Sequence, residues 1–452
     1  AGIIPTTNPT STVFYKALLA LKTRNCIVFS PHPRAARCTI EAARIVRDAA
    51  IAAGAPKNCI GWITKPTVEL SGYLMKHPRT SCILATGGPA MVNAAYSSGK
   101  PALGVGPGNN CAIVDELCDL KDAVSSIIVS KTFDNGVVCA SEQSCVVVES
   151  VYEEFKKELA YRGCYLMNAE ETDKVGKHCL PLNKNGVCQM NPTTVGTSAR
   201  SIAEGAGLTI PKEHPCKVLV GEGDHKLISH TYPMGLEKLS PVLGLFKAKD
   251  FKEAVEIAAK AVHLAGKGHT ASIHTAYQAQ DRIDLFSHTL QAGRLLVNQP
   301  SALGGIGDLY NFMLAPTLTI GCGSHGGNSV SENVGPKHLL NYKSVTIKRE
   351  NTLWFKAPPK VYFNKGCLEE SLKELFHFKR AFIITDKILV DLGYTDRITK
   401  PLKEKNIELT IFHEVVPDPD LACCHKCLDQ IKAFKPDLFI ALGGGSAMDL
   451  MK

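Results

Sequence analysis

Cys82-Ile83-Leu84-Ala85-Thr86-Gly87-Gly88-Pro89 decides the fold class. A short buried-type run passes straight into a polar, glycine-bearing turn, and Met91 to Ser97 then reads as a helix. The same unit recurs on either side. Gly2 to Ile4 leads through Asn8-Pro9-Thr10 into a helix from Thr12 to Lys22. Cys26-Ile27-Val28-Phe29 leads through Ser30-Pro31-His32-Pro33 to an alanine-rich helix from Ala42 to Ala53, closed by Gly54 with Pro56 soon after. Ile60 to Ile63 precedes a helix from Thr67 to His77. Repeated strand–helix units predict an α/β fold with a parallel, doubly wound, Rossmann-type sheet. Such sheets bind ligands beyond the carboxyl ends of their strands. The turns at Asn8, His32 and Thr86-Gly87-Gly88 lie there, and glycines before a helix let phosphates approach its N-terminus. Gly104-Val105-Gly106-Pro107-Gly108 also invites a dinucleotide reading, but it lacks the full glycine spacing and Pro107 removes a donor.

Further along, Phe133-Asp134-Asn135-Gly136-Val137-Val138-Cys139-Ala140-Ser141-Glu142-Gln143 puts a cysteine on a turn. A helical pattern from Ala123 to Lys131 precedes it and the apolar run Cys145-Val146-Val147-Val148 follows. A thiolate on such a turn can attack a carbonyl while unpaired N–H groups hold the oxyanion. An inert buried thiol is the other reading of a lone cysteine. Ser150-Val151-Tyr152-Glu153 reads as a capping box for a helix with Val151, Phe155 and Leu159 on one face. Strands are predicted at Val242 to Phe246, after Glu237-Lys238-Leu239-Ser240-Pro241, and at Ala271 to Ile273, after Gly266-Lys267-Gly268-His269.

A boundary is predicted at 345–359, where Lys348-Arg349-Glu350, Trp354-Phe355 and Pro358-Pro359 interrupt the pattern. A new α/β unit follows, with strands at Val361 to Phe363, Ala381 to Thr385, Glu408 to Phe412 and Leu438 to Leu442. The last runs into Gly443-Gly444-Gly445-Ser446, a strand, glycine turn and helix start that make a phosphate cradle. Asp386 ends an earlier strand and can accept a ribose hydroxyl. Cys423-Cys424-His425-Lys426-Cys427 lacks the second ligand pair of a zinc site, and Leu421, Leu428 and Ile431 mark it as part of a helix.

The chain has 452 residues, a net charge of +8 and 17 cysteines. Lys and Arg are spread without a long basic run, which argues against nucleic-acid binding and leaves a mild pull on anionic cofactors. The cysteines in so core-rich a chain read as reduced thiols of a cytoplasmic protein. No apolar run approaches the ~20 residues that span a bilayer. Ala1 is not a start methionine, and Asp449 to Lys452 stops inside a starting helix, so a fragment of a longer protein is expected.

These motifs recur in order in a known family. Asn8-Pro9-Thr10, Thr86-Gly87-Gly88, Phe133 to Gln143, Glu237 to Pro241 and Gly321-Cys322-Gly323-Ser324 resemble those of the bifunctional aldehyde–alcohol dehydrogenases of fermentative microbes and anaerobic protists. The resemblance implies an aldehyde dehydrogenase unit in which 1–124 binds NAD, with its N-terminal segment missing. It makes 125–303 the catalytic thiol domain and 304–345 a glycine-rich return segment. A linker at 346–358 then leads to 359–452, the truncated NAD-binding part of an iron-type alcohol dehydrogenase.

It also implies roles. Cys139, ionised beside the nicotinamide ring, would be the nucleophile, and Asn8 would form the oxyanion hole with the Cys139 N–H. Thr86, Gly87 and Gly88 would sit by the NAD pyrophosphate, His32 by the adenosine side and Glu237 at the nicotinamide ribose. His269 would lie near the CoA or substrate entrance, although a satisfied structural histidine reads equally well. Asp386, Gly443, Gly444, Gly445, Ser446 and Asp449 would bind NAD in the second unit. Its Fe(2+) ligands would lie beyond residue 452, so no metal site is expected in this chain. The implied activity is NAD-dependent, CoA-acylating conversion of acetyl-CoA to acetaldehyde, with ethanol formation in the full-length protein. Hydrolytic relatives carry a water-activating glutamate in an E-L-G-G pattern. Here 104–109 holds no carboxylate, which leaves the thiol of CoA as acyl acceptor. Another reductase of the superfamily, acting on a semialdehyde or acyl phosphate, is the alternative within enzymes. A filament-forming structural fragment is the alternative outside them. Self-association into dimers or helical filaments is implied by the same resemblance.

Overall fold

A computed structural model describes residues 1–307, 310, 311, 313–347 and 358–452. The predicted boundary residues 348–357 lie outside the described set. The chain divides into two compact units, Ala1–Lys343 and Ser344–Lys452.

The first unit holds two parallel sheets. The five-stranded sheet consists of β1 (Gly2–Ile3), β2 (Ile27–Ser30), β3 (Ile60–Trp62), β4 (Ile83–Ala85) and β5 (Ala102–Gly104), in the order β3-β2-β1-β4-β5. The order reverses between β1 and β4, so the crevice beyond their carboxyl ends is the ligand position of a doubly wound fold. Helices Pro9–Lys22, Ala36–Ala52, Val68–Lys76 and Pro89–Tyr96 connect the strands; the second starts six residues before the predicted Ala42, and the others lie within three residues of their predicted spans. Gly54, at φ 95°, ends the second of them as expected.

The seven-stranded sheet comprises β6 (Asn110–Val114), β7 (Glu142–Val148), β8 (Tyr165–Met167), β9 (Leu219–Gly223), β10 (Val242–Ala248), β11 (Gly268–His274) and β12 (Ala292–Val297), in the order β12-β11-β6-β7-β10-β9-β8. Its strands alternate strictly. Cys111, Ile113, Val146 and Val148 face one core, with helix Phe251–Ala265 packed on it. Ala112, Val114, Cys145 and Val147 face the other, covered by helices Leu120–Thr132 and Glu149–Tyr161. Each fully buried aliphatic or aromatic side chain here contributes about 1.5–3 kcal/mol relative to exposure, which is why both faces read as continuous apolar runs.

Three expectations change. The break after residue 124 would cut helix Leu120–Thr132, and β6 already belongs to the seven-stranded sheet, so the passage between sheets falls between β5 and β6. The capping box at Ser150 is not formed: the helix starts at Glu149, Val148 occupies its N-cap, and no side chain caps it. The predicted strand at 361–363 is irregular, and Val361, Tyr362 and Phe363 are exposed instead of paired.

The second unit has a three-stranded parallel sheet, β13 (Arg380–Ile384), β14 (Glu408–Phe412) and β15 (Leu438–Ala441), in the order β14-β13-β15. Cys423 and Cys427 lie one turn apart on the inner face of helix Leu421–Phe434. Ile431 packs beside that core, while Leu421 and Leu428 face solvent, so the thiols and not the leucines form the buried stripe. Among the described residues no helix is long and apolar enough to cross a membrane.

Candidate active site

Cys139 sits on the turn between helix Leu120–Thr132 and β7. Asp134, Asn135 and Gly136 are left-handed in succession (φ 49°, 50° and 68°), which reverses the chain sharply. Asp and Asn tolerate this conformation. Gly136 is also required sterically, because a Cβ there would lie 2.7 Å from the Ser240 carbonyl oxygen. Val138 to Ser141 then form a turn closed by the Ser141 N–H donating to the Val138 carbonyl at 2.8 Å. The Asn110 Nδ2 group donates to the Ala140 carbonyl at 3.0 Å and to Ser301 Oγ at 2.6 Å. Gly108 presses against the other side: a Cβ there would be 2.2 Å from the Cys139 carbonyl oxygen and 3.3 Å from Glu237 Oε1. The run 104–108 is therefore no phosphate loop. Its glycines let the backbone approach Cys139 and, at Gly106, Cys322.

The half-buried Cys139 packs against Val105, Ala140 and Ile320. Val105 donates its N–H to the Ala85 carbonyl, and the Thr86 N–H donates to Ile3. The cysteine turn thus meets the carboxyl ends of β1, β4 and β5. Asn8 stands there at the N-cap of helix Pro9–Lys22. Its Oδ1 accepts from Thr12 Oγ1 at 3.2 Å and Thr7 Oγ1 at 3.3 Å, which leaves Nδ2 as the amide's free donor among the described residues. Thr86 Oγ1 is buried with no partner, and Gly88 leaves open space ahead of helix Pro89–Tyr96, while a Cβ at Gly87 would only reach Met91 at 3.6 Å. An orphaned hydroxyl and an uncrowded glycine turn at the strand-order reversal fit a dinucleotide pyrophosphate. His32 follows β2, exposed, with Nδ1 accepting from the Arg34 N–H at 3.2 Å.

The electrostatics change one expectation and add a second group to the site. Burial pushes the Cys139 thiol up to about 12, with Glu237 and Cys322 adding to this and Arg294 opposing it. The sulfur is thus a neutral thiol near pH 7 in the free protein, not the expected thiolate. A carboxylate also approaches it: Glu237 comes from a distant stretch, although 104–109 holds none. Burial raises Glu237 to about 8, against the Gly108 amide and the lysines Lys131 and Lys238. At pH 7 it is therefore mostly protonated and a poor base for water.

A pH dependence follows from that carboxyl group. Between pH 7 and 9 its ionised fraction rises about tenfold, so CoA-independent release of acetate from the acetylated chain should accelerate by that factor relative to Glu237→Gln. Single-turnover acetate release measures it, and a constant ratio across that range would exclude Glu237 as the base.

His269 is fully buried at the start of β11. Nδ1 bonds Thr270 Oγ1 at 2.9 Å, Nε2 has no partner, and burial keeps the ring neutral, at about 3. One ring nitrogen is thus without a partner among the described residues. Arg294, invisible as a site residue in the sequence, donates to the carbonyls of His269, Gly268, Gly321 and Ser331 at 3.0, 2.9, 2.5 and 3.2 Å. It ties the glycine-rich return segment to β11. Cys322, fully buried there, lines a cleft of about 430 Å3 with Ser324, His325 and Asn328.

In the second unit Asp386 caps helix Lys387–Asp391, its Oδ1 accepting from the Leu389 N–H at 3.0 Å. Its Oδ2 lies 3.9 Å from the Cβ position of Gly443. Gly444 and Gly445 have open space around them, so this turn also fits a phosphate. Ser446 lies in the first turn of helix Gly445–Met451, and Asp449, exposed one turn on, pairs with Lys452 at 3.5 Å. Among the described residues no group of three or more His, Cys, Asp or Glu side chains is placed to hold a metal ion.

With this geometry in hand, comparison with known proteins is decisive: residues 1–307 match the model of the aldehyde dehydrogenase family. The chain belongs to the aldehyde dehydrogenase family. Residues 358–452 match the model of iron-containing alcohol dehydrogenases. The bifunctional aldehyde-alcohol dehydrogenase of Escherichia coli K12 is 52% identical over 454 residues, covering 100% of this chain and 50% of that protein. The chain thus spans about half the length of the curated relatives it matches most strongly. An acetylating aldehyde dehydrogenase from Geobacillus thermoglucosidasius is 47% identical with a TM-score of 0.73, over 79% of this chain and 75% of that one. A propionaldehyde dehydrogenase from Rhodopseudomonas palustris, solved with bound CoA and an acylated cysteine, is 27% identical with a TM-score of 0.65, over 75% and 72%. In this aldehyde dehydrogenase the family match lies in the two-sheet first unit, which brings Cys139, Glu237 and the β4 turn into one region.

Proposed function

We propose that the first unit is an NAD-dependent, CoA-acylating aldehyde dehydrogenase that interconverts acetyl-CoA and acetaldehyde through a thioester on Cys139. The observation that carries this reading is the cysteine turn, fixed by Asn110 and Gly108 and packed through Val105 against the carboxyl ends of a dinucleotide-type sheet. The names of the acetylating and CoA-bound relatives support it.

In the oxidative direction Cys139 Sγ adds to the aldehyde carbon, and the thiol proton leaves to solvent. The oxygen charge is held by Asn8 Nδ2 and the Cys139 N–H, neither of which has an acceptor among the described residues. Thr86, Gly87, Gly88, His32 and Glu237 would hold NAD, which when bound supplies the acceptor for the hydride lost from the adduct. A thioester on Cys139 is left. The CoA thiol then attacks its carbonyl, acyl-CoA departs, and Cys139 recovers its proton. A protonated Glu237 gives water no comparable activation at neutral pH. The unpartnered His269 Nε2 would be available to a substrate or CoA group.

In the second unit Asp386, Gly443, Gly444, Gly445, Ser446 and Asp449 would bind NAD for an iron-dependent alcohol dehydrogenase activity of the whole protein. Dimers or helical filaments are the assemblies proposed for it. NADH formation from acetaldehyde with and without CoA tests the reading: turnover should require CoA. Equal rates without it, with acetate as product, would overturn it.

A further inference from the structure

Gln143 belongs to the motif that carries Cys139, yet the mechanism above does not use it. Its side chain is fully buried at the start of β7, where a polar amide needs partners to offset its desolvation. It has them at both ends. Nε2 donates to the Ser141 carbonyl at 3.0 Å. Oε1 accepts from the Lys238 N–H at 2.9 Å and from Lys131 Nζ at 3.4 Å.

Those partners belong to the two halves of the site. Ser141 closes the turn on which Cys139 sits. Lys238 directly follows Glu237, and next to it Leu239 holds a left-handed φ of 46°, unusual for a leucine. The Glu237 segment has little repetitive structure of its own between the short 3-10 turn Pro233–Gly235 and β10. Lys238 Nζ gathers the Leu236, Met234 and Pro233 carbonyls at 2.6, 3.2 and 3.4 Å, so the segment is internally cross-linked. The Gln143 amide joins that cross-linked segment to the cysteine turn.

Resting on the reading of Cys139 as nucleophile and Glu237 as the nicotinamide-ribose contact, we propose that Gln143 is a positioning residue that sets the spacing between them. It touches neither the thiol nor the cofactor. It acts by holding the Ser141 carbonyl and the Lys238 N–H on one rigid amide. Displacements of about 1 Å at a reacting centre cost up to 100-fold in rate, so a lost bridge should register in turnover and cofactor affinity together.

The test compares Gln143→Met with Gln143→Glu in the full chain. Methionine keeps the length and fills the space but makes neither bond. Glutamate keeps the acceptor toward Lys238 and Lys131 and loses the donor toward Ser141. For Gln143→Met the expected result is kcat lowered about tenfold or more and a several-fold higher KM for NAD. NAD should also protect Cys139 less well from iodoacetamide, read by mass spectrometry. Gln143→Glu should keep the KM for NAD near wild type while kcat still falls. If Gln143→Met does not fold, that split in Gln143→Glu decides. Values of kcat and KM within twofold of wild type in the folded variants would overturn the proposal, as would a loss that only tracks the folded fraction. Wild type without CoA-dependent NADH formation would remove the underlying reading instead, which keeps the two failures separate.

Discussion

Cys139→Ala is expected to abolish CoA-dependent acetaldehyde oxidation, by roughly 10^4-fold or more, the scale seen when a covalent nucleophile is removed. The fold should survive. The turn is held by backbone and neighbouring side chains: Asn110 on the Ala140 carbonyl, the Ser141 N–H on Val138, and left-handed Asp134 to Gly136. None of these bonds uses the sulfur. The thiol is also neutral and half-buried beside Val105 and Ile320, so alanine removes one small apolar contact, worth about 1 kcal/mol. Activity and stability should therefore separate widely, as measured by NADH formation and thermal unfolding on the same preparation. Residual CoA-dependent turnover within tenfold of wild type would exclude Cys139 as the nucleophile.

Asn8→Ala should lower kcat by about 10^2 to 10^3, equivalent to ~2.7–4 kcal/mol of barrier, the cost of one oxyanion-hole donor. Asn8 occupies a helix N-cap, where alanine ordinarily costs about 1 kcal/mol. Its side chain makes no cap hydrogen bond here, however, so the stability loss should be smaller than that. Its Oδ1 is used by Thr7 and Thr12, which aims the amide nitrogen away from them. Asn8→Asp preserves those two bonds but replaces the donor by a carboxylate, so it should be no more active than alanine. Kinetics of both variants check this. An active Asn8→Asp would show that the side chain only orders the turn.

Much of the architecture was legible because apolar runs passed directly into glycine turns. β1, β2 and β4 needed nothing beyond local pattern. β6 and β12 were not legible. Asn110 opens β6 and Arg294 interrupts β12, and only tertiary partners make them tolerable inside a sheet: Ala140 and Ser301 for the first, four carbonyls for the second. The same holds for the site. Cys139, Asn8 and Thr86 stood out by their place after strands or in a turn. The protonation of Glu237 and of the thiol did not, because it depends on burial that sequence spacing does not report. Val361 to Phe363 failed in the opposite sense: β-prone residues without a partner strand among the described residues stay irregular.

The central claim is that a single sulfur carries the acyl group between aldehyde and CoA. Its most direct measurement is mass spectrometry of the full chain after brief exposure to acetyl-CoA and acid quench. The account predicts one acetyl group, on the peptide containing Cys139, absent from Cys139→Ala and removed by added CoA. Acetylation at Cys322 or another thiol with Cys139 unmodified would contradict it.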